Sequence, residues 1–218
     1  MNKLIAFTFD DVPFYAKNDE NPTTAIIETL HEFGGKGTFF VVGRHFDLNG
    51  RKQLEKALEN GFELGNHTQN HWDMDKLSDE QTEDEIMTVQ EKLYREFGVT
   101  PKYLRTAGLT RNAHMFDITE KNGMSVIFGS YGKADLRDWD PAVESDHIRK
   151  TCLENAYSGQ IVLMHGFSTG TQGALYDICS KLADEGYSFV TLSELFDGFG
   201  VKEIPHDRPL IDAQLTVI

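Results

Sequence analysis

The pattern of residues predicts an α/β domain with parallel strands. Short apolar, β-rich runs alternate with longer amphipathic stretches along nearly the whole chain. No Pro/Gly-rich linker, break in composition or internal repeat divides its 218 residues, so one domain over 1–218 is expected, with a core at 3–196 and a tail at 198–218. Polar residues capable of chemistry fall at the C-terminal ends of the strands, as in barrels and in open doubly wound sheets. No Gly-x-Gly-x-x-Gly follows the first strand, which weakens a dinucleotide-binding reading, and a barrel is preferred.

The first strand is Leu4-Ile-Ala-Phe-Thr-Phe9, an apolar run ending on Asp10-Asp11, with a turn signal at Val12-Pro13. Asn18 to Asn21 is polar and loop-like. Pro22 starts an amphipathic helix through Phe33, ended by Gly34-Gly35. A buried strand follows at Thr38–Val42, a helix at Arg51–Glu59, and a short strand at Phe62–Gly65 that delivers Asn66-His67. The longest helix, Ser78–Phe97, opens on a capping-box pattern and stops at Gly98. Strands are then expected at Pro101–Arg105, Ser125–Gly129, Gln160–His165 and Tyr187–Leu192. Helices at Asn112–Asn122, Val143–Tyr157 and Gln172–Glu185 alternate with them, and the tail from Gly198 is expected to be an irregular wrap.

Hydrophobic residues make up 39% and charged residues 26% of the chain, enough for a sizeable core. A net charge of −14 argues against nucleic acid or an anionic membrane as the main partner. No run reaches transmembrane length, and the first strand begins at residue 3 with no room for a signal peptide, so a cytoplasmic location is expected. Cys152 and Cys179 lie in predicted helices without Cys-x-x-Cys spacing and are expected to be reduced and packed.

Two carboxylates at the mouth of a buried strand are costly unless a cation or proton shares the site. His67-Thr-x-x-His71 supplies two imidazoles, which a helical turn would place on one face. With Asp11 they make two nitrogens and one oxygen, a set that leaves coordination positions open and so suits a catalytic metal. Arg105, Asp138-Trp139 and Leu163-x-His165 add cation, acid, aromatic and imidazole at further strand ends.

In order, Thr8-Phe-Asp10-Asp11, His67-Thr-x-x-His71, Arg105, Asp135-x-x-Asp138-Trp139 and Leu163-x-His165 resemble the motifs of the polysaccharide deacetylase family, carbohydrate esterase family 4, also called the nodulation-factor deacetylase homology domain. The resemblance implies a distorted (β/α) barrel of about seven or eight strands that removes N- or O-acetyl groups with a metal. On that resemblance Asp11, His67 and His71 hold one divalent ion, most often zinc, with cobalt or nickel also accepted by such a set. Asp10 is the general base toward water and His165 the general acid toward the departing amine. Arg105 orients Asp10 and keeps it ionised, Asp138 orients His165, and Trp139 with Leu163 walls the acetyl pocket. The implied substrate is an N-acetylated sugar, oligosaccharide or glycoconjugate. Beside it stand an amide hydrolase or deformylase acting on a small non-polymeric substrate, such as a formamido sugar, and a non-catalytic carbohydrate-binding barrel. A binding protein needs neither the base Asp10 nor the acid His165. Two departures from the family pattern, Val12 for Gly and Thr106-Ala107-Gly108 in the third motif, are expected to place a side chain near the metal and to loosen a loop.

Overall fold

The computed structural model describes residues 3–14, 22–46, 48–130 and 132–216; the expected loop at Asn18 to Asn21 lies outside them. Strands β1 (Lys3–Val12), β2 (Thr38–Val41), β3 (Glu63–Asn66), β4 (Tyr103–Leu104), β5 (Ser125–Val126), β6 (Ile161–His165) and β7 (Tyr187–Val190) form one sheet. Its order is β5-β4-β3-β2-β1-β6, with β7 also paired to β1, and every strand pairing is parallel. The helices are α1 (Pro22–Glu32), α2 (Leu48–Glu59), α3 (Asp79–Phe97), α4 (Ala113–Lys121), α5 (Ser145–Asn155), α6 (Thr169–Asp184) and α7 (Leu192–Gly198). The result is a distorted, half-closed barrel. Leu210 bridges to Ile127 beyond β5, and Asp212 bridges to Gln160 before β6, so the C-terminal segment spans the gap.

β1 is the central strand because it is apolar on both faces. Ile5, Phe7 and Phe9 point outward into a cluster with Ile26, Leu30, Ile178 and Leu182 of the covering helices. Ala6 lies in a different cluster with Phe40 and Ile161, and the Thr8 hydroxyl donates to the Val162 carbonyl. The strand's two-residue period therefore carries the series Ala6, Thr8, Asp10 up the inner side to the C-terminal rim.

Most element ends follow local chemistry. Ser78 and Gln81 close a reciprocal capping box on α3, and Gly98 ends that helix at φ 67°. The expected last strand overruns: β7 stops at Val190, because Thr191 and Glu194 form a second capping box that starts α7. α6 likewise begins at Thr169, before the expected Gln172, with Ser168 as its cap. Cys152 and Cys179 are free and buried, and burial raises the Cys152 thiol to about 12. Among the described residues, no helix is long and apolar enough to cross a membrane.

Candidate active site

Neighbouring residues on a strand point to opposite faces, yet Asp10 and Asp11 both line one cleft of about 480 Å³ at the rim. A register shift against β2 between Phe9 and Val12, with Asp11 at φ 61°, resolves this. The irregularity turns the Asp11 side chain to the same mouth as Asp10. The two carboxylates share His67, whose Nε2 lies 3.7 Å from Asp10 Oδ2, and otherwise meet different partners.

Asp10 is 3% exposed and accepts from Arg105 Nη1 at 2.8 Å. Burial pushes its carboxyl up, but Arg105, His67 and His165 together hold it below the usual carboxylate range. Arg105 is fully buried and also donates to Thr8 Oγ1 at 2.8 Å and to the Ile127 carbonyl at 2.8 Å. Its guanidinium carbon lies 4.1 Å from the centre of the Phe40 ring. Gly129 passes beside it at φ 85°, where a Cβ would stand 3.1 Å from Arg105 Nη2.

Asp11 Oδ1 lies 3.2 Å from His71 Nε2 and 3.8 Å from His67 Nε2. His67 Nδ1 donates to the Arg105 carbonyl at 2.7 Å, which leaves Nε2 as the lone-pair nitrogen facing Asp11. Burial and the neighbouring His67 hold His71 below the usual imidazole range, in the neutral form a ligand needs. Donors at about 2.0–2.2 Å around a tetrahedral ion stand roughly 3.3–3.6 Å apart. The three donor atoms lie within 4.8 Å of one another, so they can take one divalent cation once the side chains draw in. Two imidazoles and a carboxylate favour zinc, cobalt or nickel over magnesium or calcium.

The two histidines do not share a helical turn. Residues 67–71 form an irregular loop with Thr68 at φ 68° and His71 at φ 59°. Buried Glu85 of α3 pins it: Asn70 donates to its carboxylate from the backbone at 2.8 Å and from the side chain at 2.6 Å. Gln69 N–H donates to the Glu85 carbonyl at 2.9 Å. The convergence thus comes from left-handed backbone and a helix anchor, neither visible in the spacing.

Beside Asp10, on the neighbouring strand, His165 Nδ1 donates to Asp138 Oδ1 at 2.8 Å. Asp138 Oδ2 accepts from His165 N–H at 2.7 Å and from the buried Thr171 hydroxyl at 2.5 Å. Burial depresses the imidazole pKa, but the Asp138 hydrogen bond and charge, helped by Asp10 and Asp11, raise it to about 9. Asp10 and His165 belong to adjacent strands in the sheet and are Cα partners.

The apolar wall holds Leu163 and Trp139, the indole standing 53% exposed at the rim. Leu109 and Ser130 also line the cleft, and Ser130 Oγ accepts from Leu163 N–H at 3.0 Å. Leu109 escapes a sequence reading because the turn aims it from φ 56° beside Gly108 at φ 55°. That turn is braced by Thr106 Oγ1 donating to the Thr110 carbonyl at 2.5 Å and Thr110 Oγ1 donating to the Ala107 carbonyl at 2.8 Å, so the expected loosening is corrected. Val12 is likewise buried in the core, where it packs on Gly166, and is not among the cleft residues.

Residues 1–127 match the family model described as polysaccharide deacetylase. A peptidoglycan-N-acetylglucosamine deacetylase from Bacillus cereus is 34% identical over 197 residues, covering 88% of each chain. The Xyl-CE4 domain of a multidomain xylanase from the hindgut metagenome of Trinervitermes trinervoides superposes with a TM-score of 0.87 at 28% identity, over 99% of this chain and 100% of that one. A family 4 acetyl xylan esterase from Clostridium thermocellum, solved with a cobalt ion, gives 0.84 at 28% identity, over 96% and 98%. Several other relatives are longer, and the chain spans 31% to 39% of their length. With a family model over more than half its length and a relative 34% identical over 88% of each chain, the chain belongs to the polysaccharide deacetylase family.

Proposed function

We propose that this protein is a metal-dependent deacetylase that hydrolyses the N-acetyl group of a sugar, oligosaccharide or glycoconjugate, with one zinc ion as the first choice of metal. The division of labour between the adjacent carboxylates carries the reading: Asp10 accepts from Arg105, Asp11 stands 3.2 Å from His71, and His67 Nε2 lies between the two, 3.7 Å from Asp10 and 3.8 Å from Asp11. A divalent ion held by Asp11, His67 and His71 would polarise the acetyl carbonyl and acidify the attacking water. Asp10, kept ionised by Arg105, takes the proton from that water. His165, kept protonated by Asp138, gives a proton to the departing nitrogen. Leu109, Leu163 and Trp139 offer an apolar wall to the acyl methyl and keep bulk water from one side of the cleft.

A strongly basic His165 favours amides over esters, since an amine leaves poorly without a proton while an alkoxide is less dependent on one. The apolar wall favours acetyl over formyl, which has no methyl to bury. The test is to incubate the metal-loaded protein with N-acetylglucosamine oligomers, O-acetylated xylo-oligomers and N-formylated sugars. The reading predicts acetate and free amine in equal amounts from the first substrate and slower turnover of the others. Acetate from O-acetyl substrates with no amine from N-acetyl ones would overturn it.

A further inference from the structure

The chain has two tryptophans, and both stand about half exposed immediately after a residue of the active centre: Trp139 after Asp138, at 53%, and Trp72 after His71, at 49%. Trp139 lines the cleft already described. Trp72 lines a separate groove of about 400 Å³ between the 67–72 loop and α3. Leaving an indole in water forfeits burial energy, so a half-exposed ring beside a catalytic rim is the unusual observation.

The rest of the groove has the chemistry of a sugar site. Gln81 and Thr88 supply amide and hydroxyl groups, and Asp84 supplies a carboxylate with no ion-pair partner among the described residues. Gln81 accepts the Ser78 N–H through Oε1, which leaves its NH₂ free to donate. No lysine or arginine lines the groove among the described residues, so it fits neutral or amino sugars and disfavours anionic ones. The platform is already set: Glu85 holds Asn70, Lys92 Nζ donates to Gln69 Oε1 at 3.0 Å, and Arg44 N–H donates to the Gln69 carbonyl at 2.8 Å. Binding there orders little new chain.

We propose that this groove is a second sugar-binding subsite, in which Trp72 stacks on a neutral or amino-sugar ring of the same glycan whose acetyl group occupies the cleft. This rests on the deacetylase reading and extends it: the preferred substrate is an oligosaccharide, and a free monosaccharide engages only half of the surface.

In the zinc-loaded Asp10→Asn/Trp139→Phe protein, Trp72 is the sole indole and hydrolysis is blocked. Its emission should shift to the blue and saturate with the N-acetylglucosamine tetramer, and stay unchanged with N-acetylglucosamine at the same concentration. In a protein otherwise wild type, Trp72→Ala should lower the tetramer-to-monomer ratio of kcat/KM by about tenfold, and Trp72→Phe should restore part of it. An unresponsive Trp72 in a protein whose wild-type form deacetylates the tetramer overturns the subsite and leaves the deacetylase reading standing. An equal response to the monomer overturns it too. A responsive Trp72 with no acetate released by the wild type supports the subsite and overturns the deacetylase reading.

Discussion

Asp10 and His165 are Cα partners in the parallel pairing of β1 with β6, so a buried carboxylate and a half-buried imidazole rise side by side to one rim. Each is held from behind by a residue of opposite charge, Arg105 at 2.8 Å and Asp138 at 2.8 Å. Arg105 favours the charged carboxylate and Asp138 the charged imidazole, which sets a base and an acid in a single cleft.

Asp10→Asn should reduce kcat at least about 100-fold while metal content stays near that of the wild type, because Asp10 is held by Arg105 and Asp11, His67 and His71 remain to bind the ion. His71→Ala should lose both activity and metal. Metal analysis of the purified variants beside acetate release checks the pair; loss of metal in Asp10→Asn equal to that in His71→Ala would reverse the assignments of Asp10 and Asp11.

The pH profile should fall as pH rises through about 9, where His165 gives up its proton. Asp138→Asn removes the main causes that raise this value, so the basic limb should move down toward about 6.5, with amides losing more rate than activated esters. Stability follows the same sign. The raised His165 pKa contributes fully below about 6.5 and is lost as pH climbs through about 9. The lowered Asp10 pKa contributes above about 3.9 and is lost as pH falls through its folded value. Denaturant midpoints against pH for wild type and Asp138→Asn test both.

Arg105→Met should destabilise the fold by roughly 3–5 kcal/mol, since it strands the Asp10 carboxylate in a buried site. Adding Asp10→Asn to it should recover most of that loss and none of the activity. Urea unfolding of the two variants decides; a single variant as stable as the wild type would mean that Arg105 contributes no net stability through Asp10.

Much of this was readable from sequence because β1 is apolar on both faces and its polar residues fall at its end. The strand-end positions of Arg105 and His165 follow from the same pattern, whereas Asp138, expected at a strand end, lies in a turn well beyond β5. What escaped was set by backbone torsions and tertiary contacts. The four-residue spacing of His67 and His71 reads equally well as a helical turn or as a loop with two left-handed residues. The shift that turns Asp11 beside Asp10 leaves no signature in Asp-Asp. Thr171 reaches Asp138 only once α6 docks against β6, and Glu85 pins the histidine loop from a helix face. The Thr191-x-x-Glu194 capping box was legible, but an apolar strand pattern ran over it.

In the proposed mechanism Asp11, His67 and His71 hold the metal on which deacetylation depends. The direct measurement is acetate release from an N-acetylglucosamine oligomer by chelator-stripped protein, titrated with zinc or cobalt. Stripped protein should release negligible acetate, recovery should saturate at one ion per chain, and His71→Ala should show no recovery. Full turnover by stripped protein, or recovery in His71→Ala equal to that of the wild type, would contradict that mechanism.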